Sequence, residues 1–186
     1  MFSIFICARN YGASIVKQMT LFGPASTQST VTSRKKDIWK LYIDGAARNN
    51  PGPAGVGIHI LKNGESFERI GYYIGPKTNN QAEYFALLLG MLTLKKYVHS
   101  HDEITICSDS LLLVKQLTGE YKVKHPDLKQ LFSLAHALLY SVGAHIHHVY
   151  REDNVIADKM ANQGIDKKIP VPPAFIEELS KHEVSL

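Results

Sequence analysis

From Asp37 onward, short apolar bursts are separated by turn signals. Ile38 to Ile43 reads as a strand that ends at Asp44, and Gly55 to Leu61 and Ser66 to Ile74 as two more. The turn Lys62-Asn63-Gly64-Glu65 lies between the last two, and Asn-Gly between apolar runs favours a tight hairpin. The period then lengthens. Ala82, Phe85, Ala86, Leu89, Leu92 and Leu94 recur at near-helical spacing, which predicts a helix over Asn80 to Tyr97 behind Asn cap candidates. The stretch EITICSDS, from Glu103, reads as a buried strand that ends at Asp109. Two helices follow, closed by Gly119 and Gly143, and Ala144 to Tyr150 predicts a fifth strand. The segment from Asn154 predicts a last helix with Val155, Ala157, Met160 and Ala161 inward and Gly164 as its stop. The order βββαβααβα implies an α/β architecture, a mixed sheet flanked by helices.

Four acids fall at telling places in this order. Asp44 and Asp109 end the first and fourth strands, so parallel neighbours would bring them together at the edge where open α/β sheets place ligands. Glu83, in the first turn of the long helix, and Asp158, in the first turns of the last, can lean over the same edge. Singly, each has an ordinary explanation: acids complement helix dipoles, and Asp109-Ser110 can cap a helix. Together they form a cluster that would repel itself. Divalent cations relieve that repulsion, and hard oxygen donors without His or Cys favour Mg²⁺ or Mn²⁺ over zinc.

Composition narrows the setting. The chain of 186 residues, 45% hydrophobic, can bury one ordinary core. Two cysteines are too few for a disulfide framework, and no apolar run approaches the roughly 20 residues of a membrane span. The expected setting is therefore reducing and cytoplasmic. The net charge of +4 is not spread evenly. Met1 to Lys36 holds Arg9, Lys17, Arg34, Lys35 and Lys36 and no acid, while the remainder is nearly neutral. Bulk charge thus makes no case for a polyanion partner. His145, His147 and His148 read as the polar face of an edge strand, and Cys107 as a small core residue.

The segments YIDGAARNNPGPAG, TNNQAEYFALLLG, ICSDSLLLVKQLTGEYKV and REDNVIADKMAN together resemble the type 1 ribonuclease H family, from about Ile38 to Gly164. The resemblance implies a ribonuclease H-like fold with a five-stranded mixed sheet. It implies endonucleolytic cleavage of the RNA strand of RNA–DNA hybrids with two Mg²⁺ ions, for which Mn²⁺ can substitute. Asp44, Glu83 and Asp109 would hold the leaving-group ion, and Asp44 with Asp158 the nucleophile's ion. Asn50, Asn79, Asn80 and Gln81 match positions that grip the minor groove, where the 2′-hydroxyls are displayed, and Thr78 matches a phosphate contact on the DNA strand. The same Asn residues also suit turn and cap duty. Two departures stand out. The His-containing loop of several family members is missing, and Lys122, Lys124 and Lys129 are all that stands where some members carry a basic protrusion. A salt-sensitive, modest hybrid affinity follows. A non-catalytic binder or another nuclease of the same broad fold, such as a junction resolvase, is the alternative.

The expected organisation is a flexible basic tail over 1–36, a catalytic domain over 37–166 and an extension over 167–186, acting as a monomer. Leu21 to Asp37 is Ser/Thr-rich without a hydrophobic period and reads as a linker. The tail supports incompatible readings: an organelle transit peptide, a start placed upstream of Met19, or a sliding-clamp ligand through Gln18, Leu21 and Phe22 of QMTLF.

Overall fold

The structure, a computed structural model, describes residues 35–186. The tail readings and the Gln18, Leu21 and Phe22 motif lie outside the described residues. Three antiparallel strands, β1 (Ile38–Ala47), β2 (Gly52–Lys62) and β3 (Glu65–Lys77), form a meander, with Asn63 and Gly64 at positive φ in the tight turn. They are followed by α1 (Asn79–Leu94), β4 (Glu103–Ser108), α2 (Leu111–Leu117), α3 (Pro126–Val142) and β5 (His145–His148). A 3-10 turn at Arg151–Asp153 leads into α4 (Val155–Lys167), and α5 (Pro173–Ser180) comes last. The five strands form one sheet in the order β3-β2-β1-β4-β5, with β4 parallel to both β1 and β5. Among the described residues, no helix is long and apolar enough to cross a membrane.

Strand alternation divides the sheet between two helical layers. Leu41, Ile43, Val56, Ile58, Ile60 and Ile106 are fully buried. Leu41 and Ile43 turn towards Gly90 of α1, and α2 and α3 pack outside α1, which is why α1 is apolar on almost every side. On the other face α4 lies on β2 and β3. This contact is made of small residues. A Cβ on Gly57 would overlap the Ala157 carbonyl oxygen, one on Gly71 the Met160 carbonyl, and one on Gly164 the Tyr72 backbone. Backbone therefore rests on backbone, and α4 sits closer to the sheet than larger side chains allow.

Several sequence expectations need correction. β1 runs three residues past Asp44 because its ladder with β2 continues to Ala47, so Asp44 lies inside the strand. Glu83 lies in the second turn of α1, whose start is fixed at Thr78 rather than an Asn by a capping box with Gln81. The same helix ends at Leu94. Gly164 is a packing glycine within α4, which runs on to Lys167. Val155 points to solvent and Met160 is only half-buried. The C-terminal segment, read only as an extension, contributes α5 and buries Val171, Phe175, Leu179 and Val184. Its entry also covers the outer edge of β3, where Tyr73 N donates to Ile169 O at 2.7 Å and Pro170 bridges to Tyr73.

Candidate active site

The parallel ladder between β1 and β4 ends at the pair Ile43 and Ser108. One residue later the two strands part: Asp109 lies just past the end of β4, while Asp44 stays in β1, which continues beside β2, so the two acids stand side by side where the parallel ladder stops. Ser110 caps α2 by accepting from Leu113 N, which leaves Asp109 to face the opening. Glu83 reaches the same place from α1, its Oε2 accepting from Gly45 N at 3.1 Å. One carboxylate oxygen from each of Asp44, Glu83 and Asp109 lies within 4.8 Å of the others.

These acids line a cleft of about 280 Å³ together with Asn79, Arg151, Asp158 and Asn162. Asp158 stands at the rim in the first turn of α4, where its Oδ1 is 3.3 Å from Arg151 Nη2. Asn162 Nδ2 donates to the Asp158 carbonyl at 3.0 Å. Behind the cleft, Asn154 Nδ2 donates to Asp109 Oδ1 and to Ile43 O. The expected groove residues adjoin it. Asn50 Oδ1 accepts from Asn79 N at 3.0 Å, tying the β1–β2 turn to the start of α1. Thr78 and Gln81 serve the capping box, and Asn80 is exposed beside them. The sequence reading singled out neither Arg151 nor Asn154 nor Asn162. An Arg before a helix and an Asn at its N-cap position look ordinary, and only the fold brings them to the acids.

Burial and crowding set the electrostatics. Asp44 is 7% exposed, and burial pushes its carboxyl up to about 7, reinforced by the negative charges of Asp109 and Asp158 and opposed by Arg151. Burial likewise holds Glu83 well above the carboxylate range, with Asp44 and Asp109 adding to the rise and the Gly45 N–H and Arg151 opposing it. Buried acids held protonated near neutrality, with hard oxygen donors converging and no His or Cys among them, fit a divalent cation. Protons and cation compete for the same oxygens. As the pH falls through about 7, the divalent ion concentration for half-maximal binding should rise, by up to about tenfold per pH unit for each proton displaced. Calorimetric titrations at pH 6 and pH 8 check this, and equal affinities would contradict it.

A mixed 3-2-1-4-5 sheet with acids gathered where its two central parallel strands part defines the ribonuclease H-like class of α/β proteins. Residues 42–164 match the Reverse transcriptase-like family. Ribonuclease HI of Halobacterium salinarum is 40% identical over 127 residues, 67% of this chain and 63% of that protein. A bifunctional protein of Mycobacterium tuberculosis is 39% identical over 130 residues, 68% of this chain and 35% of that protein. The chain thus spans less than two thirds of the length of these curated relatives. Among solved structures, RNase H1 from Halobacterium salinarum superposes with a TM-score of 0.66 at 38% identity, covering 70% of this chain and 98% of that one. LC11-RNase H1, solved in complex with an RNA/DNA hybrid, gives 0.64 at 39% identity, covering 71% and 98%. The chain belongs to the type 1 ribonuclease H family.

Proposed function

We propose that this protein is an endonuclease that hydrolyses the RNA strand of RNA–DNA hybrids with Mg²⁺ held by Asp44, Glu83, Asp109 and Asp158. The observation that carries the reading is the convergence of Asp44, Glu83 and Asp109 within 4.8 Å in a cleft between α1 and α4. Its similarity to LC11-RNase H1, a protein solved with a hybrid, supplies the substrate class. A pure binder gains nothing from buried carboxylates facing a polyanion.

The bound metal supplies Lewis acidity, activating water and stabilising the leaving 3′ oxygen in an in-line displacement that leaves 5′-phosphate and 3′-hydroxyl ends. The rest is the work of side chains. Asp44 and Glu83 give up protons to bind the cation, and Asp109 and Asp158 add their carboxylates from either side. Arg151 offsets their charge at the rim and is the cleft's own cation. Asn79 and Asn80, set by the Thr78 cap and the Asn50 contact, present amides where a minor groove would pass. With only Lys122, Lys124 and Lys129 between α2 and the first turns of α3, hybrid affinity should fall steeply with salt.

Labelled RNA–DNA, RNA–RNA and DNA–DNA duplexes, incubated with and without Mg²⁺, test the reading. Only the hybrid should be cut, only in its RNA strand and only with the ion. Asn50→Ala and Asn80→Ala should each weaken hybrid binding by about 2–10-fold, the net worth of a hydrogen bond of about 0.5–1.5 kcal/mol. Asn50→Ala would act partly by releasing Asn79. Cutting at the wild-type rate by both variants at limiting substrate would remove the groove role.

A further inference from the structure

We propose that Asn154 is a positioning residue of the metal site, fixing the rotation of the Asp109 carboxylate and registering α4 against it. The inference rests on the metal reading above. Asn154 is 1% exposed and lies between β5 and α4, 45 positions from Asp109 and 111 from Ile43. Its Nδ2 donates to Ile43 O at 2.9 Å and to Asp109 Oδ1 at 2.8 Å. Both partners are acceptors, so the amide has one workable orientation and both its N–H groups are used.

The usual reason for an Asn before a helix does not apply here. Asn154 stands at the N-cap position of α4 yet makes no side-chain capping bond. Its Oδ1 is buried without a hydrogen-bond partner among the described residues. The side chain thus forgoes the cap and leaves an acceptor desolvated, while its donor end serves Asp109 and the point where the β1–β4 ladder stops. Its backbone completes the link: Asn154 O accepts from Asp158 N at 3.1 Å. One residue therefore connects Asp109, the carbonyl preceding Asp44, and the helical turn that carries Asp158. With one oxygen of Asp109 tied, its carboxylate meets a cation already oriented, which is how hydrogen-bonded supporting groups raise metal affinity.

Mn²⁺ binding followed by electron paramagnetic resonance without nucleic acid tests the proposal on wild type and Asn154→Ala. The variant should bind Mn²⁺ at least about tenfold more weakly, while hybrid binding in EDTA stays within about twofold of wild type. A residue that merely staples α4 would lower the melting temperature and leave Mn²⁺ affinity unchanged, and that result overturns the role. Failure of the wild type itself to bind Mn²⁺ would overturn the metal reading along with it. Should Asn154→Ala not fold, the wild-type side-chain amide decides. Its ¹⁵N-attached protons should exchange slowly with solvent and shift on Mg²⁺ addition with the midpoint of metal binding, and resonances that do not move would overturn the proposal.

Discussion

Asp44→Asn should lower hybrid cleavage by about 10³-fold or more while hybrid binding survives, because it removes the carboxylate central to the cluster and touches no groove residue. The same substitution should make the metal-free protein more stable at pH 8. Burial and its acidic neighbours raise the Asp44 carboxyl to about 7 in the folded state, so below about 7 the fold holds a proton that the unfolded chain has released, and at pH 8 it must instead keep a buried charge. Stabilisation from that proton is complete below the unfolded carboxylate range and is lost as the pH rises through about 7. Asn carries no charge to bury. The gain in melting temperature at pH 8 should be about 5 °C, and it should shrink towards pH 5. Retention of activity within about tenfold would reject the catalytic assignment, and a lower melting temperature at pH 8 would reject the electrostatic account.

Gly57→Val is the second substitution with a large expected effect, although residue 57 contributes no side chain to the cleft. Its Cβ would overlap the Ala157 carbonyl oxygen, and its methyl groups would press on the first turns of α4. The helix must lift from β2, at a cost of about 3 kcal/mol or more. Asp158 lifts with it, away from Asp44 and Asp109. A misplacement of about 1 Å is enough to reduce turnover about 10²-fold. Thermal melting and single-turnover cleavage measure the two effects separately. A stable Gly57→Val with normal turnover would mean that the spacing between α4 and the sheet does not govern the site.

How far the sequence was legible follows the range of each signal. The meander was readable because alternation and the Asn63-Gly64 turn are local. Asp44 and Asp109 could be paired in advance because strand order and polarity suffice to bring them to one edge. The extent of β1 past Asp44 was not readable, since residues 45–47 stay in the strand through pairing with β2, a tertiary cause. Gly164 misled for a related reason: a glycine near the end of a helical pattern signals a stop, but here it answers a close approach by Tyr72. Asn154 stood only as the first residue of a predicted helix. Its partners, Ile43 and Asp109, are too distant along the chain for any local pattern to announce. α5 was missed because eight residues between prolines and a short tail give little periodicity, and its burial depends on the surface left by the rest of the domain.

The cover that the segment after α4 lays on β3 bears on how molecules of this protein meet one another. A 13-residue outer strand offers a row of backbone donors and acceptors to any extended chain, which is the common route to edge-to-edge association. Ile169 takes the donor of Tyr73, and Pro170, lacking an N–H, presents no matching donor of its own, so the template ends where it is covered. At the opposite margin β5 is only four residues long and turns three histidines outward, too short and too polar to recruit a neighbour. The chain thus occupies its outer strand at Tyr73 and keeps the opposite margin short, two devices that each shorten the run of open ladder a neighbouring molecule could extend.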